Sequence, residues 1–231
     1  MTTTLVTGAN KGLGFETARR LVEAGHTVYA GARDTRLGEE AAARLGARFV
    51  RLDITDEDSV RAAADFVRED AGRLDVLVNN AGIGGAGKPV GETTGADMAR
   101  TFETNVFGAV RVTKAFLPLL DAGKDSVVVN VASGLGSLAA TNDPSRVESG
   151  VLLLDYNSSK TALVMVTSQY AKAYPGIRFN AVDPGYTATD LNGHTGPKSV
   201  EEGAEVIVRM ALIGSDGPTG GFFDEDGVAA W

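Results

Sequence analysis

Tyr156 and Lys160 stand four residues apart, and the chain opens with the turn Thr7-Gly8-Ala9-Asn10-Lys11-Gly12-Leu13-Gly14. A separation of four residues places two side chains on one helix face, with Cβ atoms about 5–6 Å apart. An ammonium beside a phenol favours the phenolate and lowers its pKa from about 10, by about 1–3 units for a close charge. A phenol tuned in that way passes a proton to or from an alcohol oxygen near neutral pH. Glycines let backbone amides approach a pyrophosphate, and the helix N-terminus that follows them favours its negative charge. A nicotinamide held in that turn would supply a hydride. Together these features describe a carbonyl/alcohol oxidoreductase. Each alone has a plainer reading. A Tyr/Lys pair also suits an exposed amphipathic helix, and glycines at 8, 12 and 14, which do not follow G-x-G-x-x-G, also suit a structural turn.

The elements that must position these groups alternate strand and helix. Leu5-Val6 leads into the glycine turn, and Gly14 to Ala24 carries Ala18, Leu21 and Val22 at helical spacing, stopped by Gly25. Further strands are expected over His26–Ala30, Phe49–Leu52, Leu74–Val78, Ser126–Val131, Ile177–Val182 and Gly221–Phe223. Helices are expected over Thr35–Leu45, after the acid-rich turn at Asp53–Asp56, over Gly95–Leu120 with one break, over Tyr156–Ala173 and over Val200–Leu212. Gly134–Gly150 is irregular, and Asp183–Ser199 is a loop. Strands separated by single helices imply a doubly wound, mostly parallel sheet of about seven strands with helices on both faces. The glycine turn, Asn79–Gly82, Ser133 and Asp183–Thr189 all follow strands, so they gather at the carboxyl edge of the sheet, where ligands bind.

A length of 231 residues suits one domain and is short for a dinucleotide domain plus a separate substrate domain. With 43% apolar and 23% charged residues, the composition is that of a soluble globular protein. A net charge of −8 argues against nucleic acid or an anionic membrane surface and leaves a small-molecule carbonyl or alcohol as the expected partner. The chain has no cysteine, which excludes disulfides, thiolate nucleophiles and Cys-ligated metals. The two histidines, His26 and His194, do not make a metal site, and no metal is expected. Met1–Leu5 lacks the pattern of a secretory signal, and no run approaches the ~18 apolar residues of a membrane span. The expected location is the cytoplasm.

The choice of nicotinamide falls near the end of the second strand, at Gly31-Ala32-Arg33-Asp34. An acid there would accept the adenosine ribose hydroxyl and repel a 2′-phosphate. Asp34 keeps NAD(H) open, but it also suits a helix cap. Ala32 occupies the position expected of a discriminating acid, and Arg33 and Lys11 are donors for a 2′-phosphate. NADP(H) is the favoured cofactor. The plain alternative for Arg33 and Lys11 is two solvated charges.

Thr7–Gly14, Asn79-Asn80-Ala81-Gly82, Asn105, Ser133, Tyr156–Lys160 and Asp183-Pro184-Gly185 occur in this order along the chain. The sequence resembles the short-chain dehydrogenase/reductase family over essentially its whole length, and Asp183–His194 with Gly217–Phe223 resembles its carbonyl-reductase-like branch. The resemblance implies a Rossmann-type fold over residues 1–231 and roles for the matching positions. Tyr156 would donate the proton in reduction, and Lys160 would lower its pKa and hold the nicotinamide ribose. Ser133 would hydrogen-bond the carbonyl oxygen. Asn105 would hold a water on the proton path. Gly8, Asn10, Lys11, Gly12, Leu13 and Gly14 would cradle the pyrophosphate side, with Arg33 at the 2′-phosphate. Asp53, Ile54, Asn80, Ala81 and Gly82 would border the adenosine. Pro184, Gly185 and Thr187 would face the nicotinamide, and a substrate loop, about 186–199, would close over the site. Leu135, Tyr186, Leu191 and Trp231 line a pocket or pack in core and tail.

The segment from about Ala139 to Gly150 resembles, in shortened form, the insertion of monomeric carbonyl reductases, which leaves monomer and homo-oligomer both open. The same residues would serve an alcohol or hydroxysteroid dehydrogenase working oxidatively. A non-catalytic NADP(H)-binding sensor would be expected to lack the Tyr/Lys pair.

Overall fold

The computed structural model describes residues Met1–Trp231. Its strands are β1 (Thr3–Thr7), β2 (Thr27–Ala32), β3 (Arg48–Arg51), β4 (Val76–Asn79), β5 (Val127–Val131), β6 (Arg178–Val182), β7 (Phe222–Asp224) and β8 (Gly227–Val228). They form one sheet in the order β3-β2-β1-β4-β5-β6-β7-β8. Every pairing is parallel except that of β7 with β8. β1 pairs with both β2 and β4, so the winding reverses there and opens a crevice at the carboxyl ends of those strands.

The helices are α1 (Gly12–Glu23), α2 (Thr35–Leu45), α3 (Glu57–Ala71), α4 (Gly95–Phe102), α5 (Ala109–Asp121), α6 (Leu138–Thr141), α7 (Leu154–Ala173) and α8 (Val200–Ala211). Covering both faces of the sheet buries the central strands on both sides, which explains the apolar run Val127–Val129 of β5, a strand buried at all five positions. Successive strand residues point to opposite faces. Val6, Val129 and Ile207 therefore belong to one core layer, while Leu5, Val128 and Phe116 belong to the other. Each such side chain contributes about 1.5–3 kcal/mol by leaving water. That rigid double layer fixes the strand ends from which the crevice loops depart. No helix is long and apolar enough to cross a membrane.

The structure departs from expectation in four places. The sheet has eight strands rather than about seven, because a two-residue hairpin partner is too short to leave a pattern. The helix over Gly95–Leu120 is not broken but passes through a π-helical stretch, Glu103–Gly108, which widens the turn without ending it. β2 continues to Ala32, so Arg33 directly follows the strand. The segment 183–199 carries a 3₁₀ turn at Asp190–Asn192 and a bridge between Thr187 and Lys198, because Ala188 N donates to the Lys198 carbonyl at 2.9 Å.

Candidate active site

Of the helices entered from a loop, α2, α3, α4, α6 and α8 each receive a side-chain cap, from Asp34, Asp56, Thr94, Ser137 and Ser199. Helix α7 also lacks one but carries Asp155 in its first turn, whereas helix α1 has neither a cap nor an acid there. Its amides and the positive end of its dipole are left facing the crevice, a fit for the phosphates of a dinucleotide. Gly14 shows why the turn is glycine-rich. A Cβ there would collide with the Gly8 carbonyl and the Asn80 amide. Asn80 crosses the crevice to this turn, its Nδ2 donating to the Thr7 carbonyl at 2.9 Å. Thr7 Oγ1 accepts the amides of Asn80 and Ala81 at 2.9 and 3.0 Å. Gly8, Asn80 and Ala81 are thus brought together, and Gly82 adjoins Asn105 and Lys160.

At the end of β2, Asp34 caps α2 by accepting the Leu37 amide at 2.8 Å. Ala32 and Arg33 stand at the end of β2, and Asp53 follows β3 on the neighbouring strand end. Burial would raise the Asp53 pKa, but hydrogen bonds from Thr55 and the charges of Arg33 and Arg51 outweigh it and hold the carboxyl below the usual range. Arg33 therefore stands close enough to Asp53 to act on it, and it is exposed. Ile54 packs against Gly108 of the π-helical stretch. Lys11, expected at a phosphate, makes an ion pair with Asp190 at 2.6 Å, and Asp190 also receives His194 Nε2 at 2.7 Å. Hydrogen bonds from Lys11 and then His194 hold the Asp190 pKa low.

Ser133 follows β5 in extended conformation, and its hydroxyl accepts the Leu135 amide at 3.2 Å. It also acts on the Tyr156 phenol, whose pKa it lowers. Tyr156 lies in the first turn of α7, with Lys160 one turn on; Lys160 Nζ is 5.6 Å from the Tyr156 ring centroid. The ammonium is buried and donates to the Val131 carbonyl at 2.8 Å. The expected charge effect between them is not found. Burial pushes the phenol up to about 12, Ser133 works against the rise, and Asp183 adds to it. Lys160 itself is pulled down to about 8 by burial, with Asp183 opposing. The physical reason is that the ammonium is engaged by the Val131 backbone carbonyl, and burial dominates both groups.

Asn105 sits in the π-helical stretch and spends its amide on the loop after β4. Its Oδ1 accepts the Ile83 amide at 2.8 Å, and its Nδ2 donates to the Ile83 carbonyl and to Ser159 Oγ, each at 3.0 Å. Pro184 and Gly185 follow β6, and buried Thr187 donates to the Pro184 carbonyl at 3.1 Å. Three residues carried no role of their own in the sequence, although Asp183 stood in the motif Asp183-Pro184-Gly185. Ser159 ties Asn105 to the Tyr156 carbonyl, to which it donates at 2.7 Å. Asp155 accepts the Ala86 amide and the Thr101 hydroxyl at 2.7 Å and the Tyr156 amide at 2.9 Å, anchoring the first turn of α7. Asp183 closes β6 beside Ser133. Asp155 carries one sequence signal, an acid in the first turn of a helix; Ser159 and Asp183 carry none that pairs them with their partners. No group of residues could hold a metal ion.

The model of the short chain dehydrogenase family matches residues 2–199. The (-)-isopiperitenone reductase of Mentha piperita is 34% identical, with 98% of this chain and 97% of the relative covered. That alignment runs over 305 positions, against 231 residues here, so the relative carries segments that this chain lacks. Among solved structures, the NADPH-bound carbonyl reductase from chicken fatty liver superposes with a TM-score of 0.87 at 28% identity, covering 100% of this chain and 99% of that one. Salutaridine reductase from Papaver somniferum superposes with a TM-score of 0.85 at 28% identity, covering 97% and 100%.

Proposed function

This chain belongs to the short-chain dehydrogenase/reductase family, and we propose that within this family of nicotinamide-dependent carbonyl/alcohol oxidoreductases it is an NADPH-dependent reductase of ketones or aldehydes. The observation that carries the reading is Ser133 just past β5, close enough to lower the pKa of Tyr156 in the first turn of α7, with Lys160 one turn away. The cofactor would supply the hydride. Ser133 and Tyr156 hydrogen-bond the substrate oxygen and fix the carbonyl for attack. As negative charge develops on that oxygen, Tyr156 gives up its proton, and Ser133 donates to the same atom. A phenol held near 12 stays protonated at neutral pH, which favours its use as an acid in reduction.

Lys160, with Asn105 and Gly82 beside it, would hold the nicotinamide ribose, and Pro184, Gly185 and Thr187 would face the ring. The uncapped start of α1 and the Gly8–Gly14 turn suit the pyrophosphate. NADPH is preferred over NADH in this reading because Ala32 ends β2 where an acid would select NAD, and exposed Arg33 follows it. The 2′-phosphate would also draw Lys11 from Asp190. The loop 186–199 closes over the substrate, with exposed Tyr186 and Leu191 as its apolar face and Leu191 packed on Gly84. Apolar Leu138, Val147, Leu152 and Leu154 are exposed in the segment flanking the site. These walls fit an apolar carbonyl compound, in keeping with the isopiperitenone reductase resemblance. A cytoplasmic enzyme is part of the same reading.

The test is cofactor consumption by purified protein against cyclic ketones, aldehydes and quinones, with NADPH and NADH in parallel. Turnover of at least one carbonyl with NADPH is expected. Absence of turnover across the panel, with NADPH still bound, would turn the reading toward a sensor.

A further inference from the structure

Asp155 precedes Tyr156 in the first turn of α7 and is 2% exposed. An acid at that place ordinarily serves the helix start from the surface. Here one carboxylate oxygen serves it from the interior. Oδ1 accepts the Tyr156 amide at 2.9 Å, one of the amides that a helix leaves without a partner of its own. The other oxygen is spent outside the helix. Oδ2 accepts the Ala86 amide and the Thr101 hydroxyl, each at 2.7 Å, from the loop after β4 and from α4. The loop depends on that bond. Residues 82–87 carry glycine at 82, 84, 85 and 87 and form no backbone–backbone hydrogen bond. Three bonds to side chains hold them, two between Ile83 and Asn105 and one from Ala86 to Asp155. Gly85 makes the approach possible. Its φ is +83°, and a Cβ there would stand 2.7 Å from each Asp155 oxygen. Both holding residues lead to Tyr156. Asp155 takes its amide, and Asn105 donates to Ser159 Oγ, which donates to the Tyr156 carbonyl at 2.7 Å. On its other side the loop meets the substrate loop, since a Cβ at Gly84 would lie 3.2 Å from the Leu191 carbonyl oxygen and 3.5 Å from its side chain.

We propose that Asp155 is a positioning residue of the reduction, a joint that locks the Tyr156 turn to the 82–87 loop and, through Leu191, to the loop that closes over the substrate. The proposal rests on the role given above to Tyr156. A cap for α7 alone needs neither burial nor a second oxygen, and a serine or threonine supplies one without a charge. An ionised carboxylate accepts at both oxygens and so meets three donors at once. Burial would raise the Asp155 pKa, but the Thr101 hydroxyl and the Ala86 and Tyr156 amides outweigh it and hold the carboxyl below the usual range. The group therefore stays an acceptor at working pH and carries no proton of its own. Its second oxygen ties the turn to segments 54 and 69 positions earlier, so the place of the phenol depends on a loop that nothing else bonds at that end. A displacement of about 1 Å at a reacting group costs about 100-fold in rate, which sets the scale of what the joint protects.

Gly85→Ala attacks the joint from the loop side and leaves every residue of α7 in place. A helix cap would not pass that change on to Tyr156; a joint does. Asp155→Asn attacks it from the helix side. An amide group has one acceptor oxygen, so either the Tyr156 or the Ala86 amide is left facing an NH₂. The first readout is the fluorine NMR spectrum of the full-length, cofactor-free protein labelled with 3-fluorotyrosine, the Tyr156 signal being identified by its loss in Tyr156→Phe. In both variants that signal shifts by more than its linewidth, while those of Tyr29, Tyr170 and Tyr174, packed in the core layer of Leu5 and Phe116, stay in place. The second readout is kinetic. In both variants kcat for a carbonyl of the panel falls about 10–100-fold, and the Kd for NADPH stays within about twofold. The loss is the same at pH 6 and at pH 8, because a misplaced acid is slow at either. A Tyr156 signal unmoved in Gly85→Ala, or a kcat within about twofold of the wild type, overturns the proposal. So does a loss confined to one pH limb, which would make Asp155 a proton carrier. Should one variant not fold, the other carries both readouts. The fluorine spectrum needs no turnover, so a shifted signal supports the joint even where the carbonyl panel shows no activity.

Discussion

On the β1–β4 side of the crevice, Asn80 and Thr7 bind backbone to side chain across the glycine turn, within partly buried surroundings. On the β6 side, the loop 186–199 is held to that turn by Lys11–Asp190, whose side chains are 64% and 52% exposed. The difference is one of exchangeability. A buried amide that loses its acceptor costs about 1–3 kcal/mol, so the cofactor side has a single arrangement. An exposed ion pair is worth about 0–1 kcal/mol, so the substrate side can change partners at little cost. One half of the site is preformed, and the other is free to respond to what binds.

The sharpest break of that contrast is at the chemistry shared by both halves. Tyr156→Phe should lower kcat by about 10²–10⁴-fold, the usual scale of a general acid, while NADPH affinity measured by fluorescence titration stays within about twofold. Gly14→Ala attacks the preformed side. Its Cβ has no room beside Gly8 and Asn80. Overpacking of about 1–3 kcal/mol should appear as a lowered Tm and, as up to about 100-fold, in the KM for NADPH. Arg33→Ala should raise the KM for NADPH about tenfold and leave that for NADH unchanged, the effect of one charge-assisted contact. Equal effects on both cofactors would refute the NADP assignment.

The pH dependence sharpens the comparison from inside α7. Lys160 is charged below about 8, so kcat/KM for NADPH should fall above that pH, by up to about tenfold per unit. The stability effect has the opposite sign. The folded pKa of about 8 lies below the ordinary 10.5, so the unfolded chain binds more protons between them. The contribution of this group to folding stability therefore rises with pH across that window. Denaturant midpoints should show a smaller rise in Lys160→Met than in the wild type. The smallest effect belongs to the responsive side. Asp190→Asn frees Lys11 and should lower the KM for NADPH by up to about fivefold at low salt, an advantage that added salt erases. An unchanged KM would mean that Lys11 does not reach the cofactor.

The sheet, its helices and the glycine turn were legible because each is written in consecutive residues. Asp56 and Gly46 marked helix ends, and Val127–Val129 marked a strand buried on both faces. Tyr156 and Lys160 were legible as a pair because helical spacing joins them. Their electrostatics were not, since the dominant cause is burial and the charge that acts on both, Asp183, is distant in sequence. Lys11 pairs with a residue 179 positions away, and Asp155 holds a loop 69 positions earlier. Local pattern carries no trace of such partners. Strand β8 was lost for the opposite reason, being two residues long.

The π-helical stretch at Glu103–Gly108 has a consequence for how this chain tolerates change in length. A widened turn holds one residue more than regular winding needs. Deleting a single residue there would restore ordinary winding and leave α4 and α5 nearly in phase, because the wider turn already absorbs the extra residue. Thr101 would keep its place beside Asp155, while Asn105, inside the stretch, would lose its aim at Ile83 and Ser159. The stretch is the point in this rod where one missing codon leaves both halves docked and disturbs only the side chain held between them.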